Sequence, residues 1–476
     1  MAGRFLSIFK PIGRILPEIK KPTRKVSFNE KIFWTALVLI IFLVMTEVPL
    51  YGVGPSEFDQ FSQLRVIFAS NRGTLMELGI GPIVTAGLIL QLLVGSSIIK
   101  CDMSNPEDRS LFTSASKVFS IALTALQAGA YIWSGMYGSL SELGIIVILA
   151  ILFQLVAVGI VVMLLDELLQ KGWGLGSGIS LFIMAGVAQQ ILWATFSPTN
   201  GLFVGALTSL LSTAEESLTA SGWILGSGGS YPYSLIGFIA TIAVFLIIIY
   251  VQGIRVELPV TYAGYKGFRS RYPIKLLYVS NLPVIFASAL FANVFFFTQL
   301  LWTRFNNPNS TMVTWFFRIF GNYADDGSGI TSIGGLAHYV TAPSGIMNVY
   351  AEPIRALVYL GILVLFCAIF SLTWLEIGGL GPNKVAKQLM DSGMQIPGYR
   401  RSERPIEQIL RRYIPVVTVL GGIIVGLIAG LADFLGVFGS GTGILLSVGI
   451  IYQYYELLMR ERAAEMFPAF KALLGD

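Results

Sequence analysis

Apolar runs long enough to cross a bilayer alternate along this chain with polar connections. A spanning helix needs about 20 mostly apolar residues. Ten stretches qualify: residues 32–51, 75–97, 112–134, 143–165, 179–196, 234–252, 277–302, 354–375, 414–435 and 441–459. Two segments break the rhythm. Between the first two spans, Phe61, Leu64, Ile67 and Phe68 recur at helical spacing, but Arg65 and Arg72 interrupt them and the run is too short to span. At the start, Phe5, Ile8, Phe9, Ile12, Ile15, Leu16 and Ile19 share one helical face, with basic residues elsewhere. That pattern predicts a helix lying in the membrane interface over residues 1–30, bent or broken at Pro11 and Pro17.

Composition sharpens this into a class. Of 476 residues, 54% are hydrophobic and 12% charged, with mean hydropathy +0.72, where a soluble domain carries about 25% charged residues. The chain reads as all-α and polytopic. Of 32 Lys and Arg, 27 fall on one side of the ten spans, which the positive-inside rule makes cytosolic. Both termini are then cytosolic. Residues 1–30 lack the continuous apolar core of a cleavable signal peptide. Two cysteines and a lone histidine, His338, offer neither zinc spacing nor a disulfide framework. No cofactor, metal site or catalytic residue is expected. Glu47 and Glu77 sit near outer span ends, and Asp166 and Glu167 near an inner one. Ionisable groups at mid-membrane mark ion-coupled transport, and these spans offer none there.

The two halves of the chain echo each other. Span 2 carries "GIGPIVTAG" and span 7 "SNLPVIFAS"; span 5 opens on "GSGISLF" and span 10 on "GTGILLSV". Five spans per half is an odd number, so the halves have opposite topology, an inverted repeat with its pathway at the interface between them. Residues 31–200 form the first half and 201–476 the second. Ile80 and Val84 on span 2, and Ile179 and Ile183 on span 5, are i, i+4 pairs on one helix face. With Ile285 on span 7 and Leu446 on span 10, four helices could build an aliphatic collar, the kind of constriction that gates by excluding water.

The stretches "SNRGTLMELGIGPIVTAGLILQLLVGS" (70–96), "YPIKLLYVSNLPVI" (272–285), "RRYIPVVTVLGG" (411–422) and "DFLGVFGSGTGILLSVGIIYQYYE" (433–456) resemble the SecY-type pore subunit of the protein translocon, in its archaeal and eukaryotic form. The likeness extends over essentially the whole chain. It implies two inverted, pseudo-symmetric five-helix halves around an hourglass pore. Its waist would be a ring of Ile80, Val84, Ile179, Ile183, Ile285 and Leu446. A plug at about residues 61–71, including Phe61, Leu64, Ile67 and Phe68, would close the ring from outside, hinged at "NRGT" (71–74). Spans 2 and 3 would face spans 7 and 8 at a lateral gate with a polar cluster of Thr85, Gln127 and Asn293.

The resemblance further implies a passive channel, not an enzyme, that translocates unfolded or nascent polypeptides and releases signal sequences and membrane spans into lipid. Implied partners are two small single-span subunits, of the SecE (gamma) and beta types, and the ribosome. The setting is a cell membrane or the endoplasmic reticulum membrane. Cytosolic loops 6/7 (253–276) and 8/9 (376–413) are basic, and Lys266, Arg269, Arg271, Arg400 and Arg401 lie in their middles, suited to phosphates of ribosomal RNA. The rival function is a small-solute secondary transporter, which shares the inverted repeat but needs a polar site at mid-membrane.

Overall fold

The computed structural model describes residues 16–24, 26–53, 69–95, 105–135, 140–197, 234–262, 269–277, 282–305, 311–325, 330–343, 345–378, 380–392, 394–395 and 403–466, together with Phe9, Pro11, 98–99, Cys101, Tyr137 and 201–203. The first five spans are α1 (Phe28–Glu47), α2 (Gly81–Gly95), α3 (Pro106–Trp133), α4 (Leu140–Leu168) and α5 (Gly178–Phe196). The next is α6 (Leu235–Gly253), followed by strands β1 (Arg255–Tyr262) and β2 (Arg269–Lys275), then α7 (Leu282–Phe305). An outer excursion holds α8 (Thr311–Phe320), β3 (Asn322–Asp325), β4 (Ile330–Gly334), α9 (Leu336–Val340) and α10 (Ile346–Ala351). The remaining elements are α11 (Pro353–Ile377), α12 (Pro382–Asp391), β5 (Met394–Gln395), α13 (Glu403–Phe434) and α14 (Gly441–Met466).

Among the described residues, nine helices are long and apolar enough to cross a membrane, and α2 is a shorter apolar tenth. The expected span 75–97 is therefore corrected to 81–95. The cause is local. Gly73 and Gly79 both have positive φ (67° and 54°), which interrupts helix, and Thr74 bridges to Pro49 instead. Ile80 then immediately precedes α2, and Val84 lies in its first turn. Their i, i+4 relation survives, since the Val84 N–H donates to the Ile80 carbonyl at 3.0 Å.

Other boundaries moved for equally physical reasons. Ser27 and Glu30 form a reciprocal capping box that starts α1 four residues early. The span expected to begin at 414 starts at Glu403, through Pro415. Its early turns are held because Ile406, Leu410, Ile414 and Val417 form one buried stripe against Val385, Ala386 and Leu389 of α12 and Ile274 of β2. So part of the expected loop 376–413 is a small helical core.

Packing is uneven in a way that suits lipid. About two thirds of the apolar window of α7 is buried (67%), against 22% for α4 and α6. Ile145, Ile146, Leu149 and Phe153 of α4 are exposed, as are Phe245, Leu246 and Tyr250 of α6. A soluble protein could not leave such faces open, whereas a bilayer or a partner helix covers them.

Candidate functional site

The six aliphatic residues picked from the repeat do converge. Ile80, Ile183 and Leu446 are 0%, 2% and 0% exposed within the central core cluster, and Val84, Ile179 and Ile285 are half-buried against it. They come from α2, α5, α7 and α14, so both halves contribute. Pro82 at the start of α2 and Pro283 at the start of α7 suit first-turn positions, where no backbone N–H bond is lost.

The entry to α2 is tightly bonded. The Asn71 side chain donates to the Thr46 carbonyl at 2.9 Å, and the Leu50 and Leu75 N–H groups bond Gly73 and Val48 across the bridge at 2.8 and 2.9 Å. The Gly73 N–H donates to the buried Glu77 carboxylate. Residues 71–74 are thus a pinned turn at the end of α1. Phe61, Leu64, Ile67 and Phe68 lie outside the described residues.

Two of the three polar residues expected at a lateral gate meet. Asn293 on α7 donates to the Thr85 hydroxyl on α2 at 3.2 Å and to its own helix, at the Ala289 carbonyl, at 2.7 Å. Gln127 is half-buried on α3 and, among the described residues, bonds neither of them. Sequence reasoning missed the aromatic part of this seam. Tyr131 and Trp133 of α3 meet Phe296 and Phe305 of α7 edge-on, with ring centroids 5.0 and 5.8 Å apart. The cluster continues outward through Phe295 to Tyr323 of β3, whose hydroxyl lies 2.6 Å from that of Thr298. Burial pushes the Tyr323 phenol up to about 12.

On the opposite side of the molecule α14 packs against α5. The Tyr454 hydroxyl reaches the carbonyls of Leu175 and Ser177 at 3.1 and 3.2 Å, and Lys31 pairs with Glu461 at 2.7 Å. Gly176 has φ +69°, and a Cβ there would lie 3.0 Å from the Tyr454 ring.

After α6, β1 pairs antiparallel with β2, and β5 from loop 8/9 pairs with the far end of β1 at Thr261–Gln395 and Tyr262–Met394. The two basic loops therefore share one three-stranded sheet. Arg269 sits at the hairpin end of β2, opposite Thr261. Arg271 is exposed and donates to Glu257 across the hairpin at 2.7 Å. That bond holds the Glu257 carboxyl below the usual carboxylate range and raises the guanidinium. Lys266, Arg400 and Arg401 lie outside the described residues.

Known proteins agree with this geometry. A family described as SecY matches residues 74–455, and one described as the plug domain of Sec61p matches residues 40–73. The fold is similar to a solved structure described as a protein conducting channel, at 38% identity and TM-score 0.81, over 97% of this chain and 98% of that one. It is also similar to Sec61 in a canine ribosome–channel complex from the endoplasmic reticulum, at 37% identity and TM-score 0.78 over the same shares. A yeast Ssh1 complex bound to the 80S ribosome matches at 28% identity and TM-score 0.75, over 94% of this chain and 93% of that one. The family match over residues 74–455, the plug-domain match just before it and the likeness to a solved channel over nearly the whole chain make this chain a member of the SecY family of protein-conducting channels.

Proposed function

We propose that this chain is the pore subunit of a translocon whose resting seal is the ring of Ile80, Val84, Ile179, Ile183, Ile285 and Leu446. The observation that carries the reading is their convergence from four helices of both halves into one apolar cluster. Such a ring has no hydrogen-bonding group to select a solute, and a narrow apolar constriction excludes water and ions. It can deform around a passing chain, since no directional bond must break. Residues 61–71 are the plug, attached through the pinned turn at 71–74.

The seam of α2 and α3 with α7 and α11 serves as the lateral gate. A segment of about 20 apolar residues prefers lipid once the seam opens, while each charge at its centre opposes entry by about 2.5–3.5 kcal/mol. The chain itself performs no bond chemistry. The shared cytosolic sheet presents the basic loops to ribosomal RNA, with Lys266, Arg269, Arg271, Arg400 and Arg401 as the contacting cations and both termini cytosolic. The exposed apolar faces of α1, α4 and α6 offer docking for the two single-span subunits. The transporter reading is disfavoured by the same ring, which offers a small solute nothing to bind.

Replacing Ile80, Ile183 and Ile285 together with Gly tests the ring. The resting channel, reconstituted as the full complex in planar bilayers, should pass ions that the parent excludes. Equal conductance in the two would sink the assignment.

A further inference from the structure

The two helices that start at the collar, α5 and α14, begin the same way from opposite directions. Each follows the fourth span of its half, and each is tied to that span by a buried aspartate. In the first half, Asp166 on α4 is 9% exposed. Its Oδ1 accepts the Ile179 N–H at 3.0 Å and the Ser177 hydroxyl at 3.2 Å, and its Oδ2 accepts the Gln170 side-chain amide at 2.8 Å. In the second half, Asp433 on α13 is 6% exposed. Its Oδ1 accepts the Gly441 N–H at 2.6 Å and its Oδ2 the Tyr359 hydroxyl, from α11, at 3.0 Å. Glycine makes the approach possible in both places. A Cβ on Gly178 would lie 2.7 Å from the Asp166 Cα, and one on Gly441 would lie 2.1 Å from the Ala429 carbonyl oxygen.

Helix starts leave backbone N–H groups without intrahelical partners, and a buried one needs an acceptor. A side chain from within the same turn would cap the helix without saying where it sits. An acceptor on a neighbouring span does both. Because a helix advances about 1.5 Å and turns about 100° per residue, a slip of one residue at the start would carry the next side chains off the collar. Ile179, whose own N–H is bonded to Asp166, and Ile183 follow one start. Leu446 follows the other, five residues after Gly441.

We propose that Asp166 and Asp433 are a matched pair of positioning residues that set the depth and rotation of α5 and α14, and so hold the collar shut. The proposal rests on the assignment of the collar as the channel's seal. It extends the seal to two carboxyl groups outside the ring. The inverted repeat gives each half its own copy, one approaching the collar from the cytosolic side and one from the outer side.

The test uses the reconstituted full complex, with resting ion conductance in planar bilayers, amide exchange over residues 178–183 and 441–446, and chromatographic homogeneity as the assembly check. Asp166→Ala and Asp433→Ala should each raise resting conductance about tenfold, the population change expected when a buried bond of this kind is lost. Exchange should quicken only at the helix start whose aspartate was removed. Asp166→Asn, which keeps the accepting Oδ1, should return conductance to within about twofold of the parent. Where an alanine variant fails to assemble, Ser177→Ala and Tyr359→Phe take its place, each loosening one carboxylate and each raising conductance by about twofold to threefold. Ile183→Gly separates the two ideas. A leak there beside sealed, well-assembled aspartate variants overturns the positioning role alone. No leak at Ile183→Gly overturns the seal and the positioning role together.

Discussion

The halves meet along two seams, and the seams are built differently. At the front, α2 and α3 face α7 and α11 through aromatic edges and the bond from Asn293 to Thr85 at 3.2 Å, which Asn293 shares with its own helix. At the back, the turn leading into α5 meets α14 through the Tyr454 hydroxyl, which donates to two backbone carbonyls, and through a glycine whose Cβ would crowd that ring, while α1 adds an ion pair from Lys31 to Glu461. Interhelical side-chain bonds in membranes contribute only about 0.6 kcal/mol on average, and edge-to-face ring pairs about 0.5–1.5 kcal/mol. The front can therefore separate and leave its groups satisfied elsewhere. The back cannot part without taking the Tyr454 donor from the Leu175 carbonyl, whereas the Ser177 carbonyl keeps the Leu181 N–H. The two seams thus differ in what each contact loses on parting.

The sharpest way to break this comparison is to overfill the back. Gly176→Val forces a branched residue into positive φ and its side chain into the Tyr454 ring, and the two effects together should cost about 2–5 kcal/mol. The thermal transition of the purified complex should fall clearly, and an unchanged transition would remove Gly176 from the back seam. Next comes Tyr454→Phe, which leaves the Leu175 and Ser177 carbonyls without that donor. A loss of about 1–3 kcal/mol in stability is expected, with the distance between spin labels on α5 and α14 broadened. At the front, Asn293→Leu should change stability by only about 0.6 kcal/mol. It should still shift labels on α3 and α7 measurably, because there the closed and open arrangements are near balance. A front substitution as costly as the back ones would erase the distinction.

A control away from both seams should have the smallest effect. In the outer excursion Arg355 donates to Glu352 at 2.9 Å and to the His338 carbonyl at 3.1 Å, and His338 lies 2.6 Å from the Ser332 carbonyl. The Arg355 bond lowers the Glu352 carboxyl from its ordinary 4.5. A depressed carboxylate stabilises above its unfolded value and loses that contribution as pH falls through its folded one. Below about pH 4.5, spin labels bridging α10 and α11 should loosen while both seam distances hold. Glu352→Gln should reproduce the loosening at neutral pH.

How much of this the sequence carried depends on the length scale of the signal. Spans and halves were legible because they rest on runs of about 20 apolar residues and on motifs that echo between the halves. The start of α2 was not, because two glycines with positive φ outweigh an apolar stretch that any hydropathy window counts as helix. Asp166 was visible only as a charge near a span end, and Asp433 was passed over. Their partners lie 13 and 8 residues on, with Tyr359 a further 74 residues away from Asp433, and no periodicity links them. Arg271 was read as a cation suited to RNA phosphates, and the pairing with Glu257 was not foreseen because the two stand 14 residues apart across a hairpin. Tyr131 and Phe296 gave no signal distinct from lipid-facing aromatics.

The three-stranded sheet shared by the two basic loops has a mechanical consequence. Its strands come from before α7 and after α12, so all three belong to the second half of the chain. Load applied to either basic loop passes through β1 to the other, and neither loop is fastened by that sheet to the first half. A large body gripping the platform is clamped to one jaw of the shell, and the other jaw stays at liberty to swing beneath it.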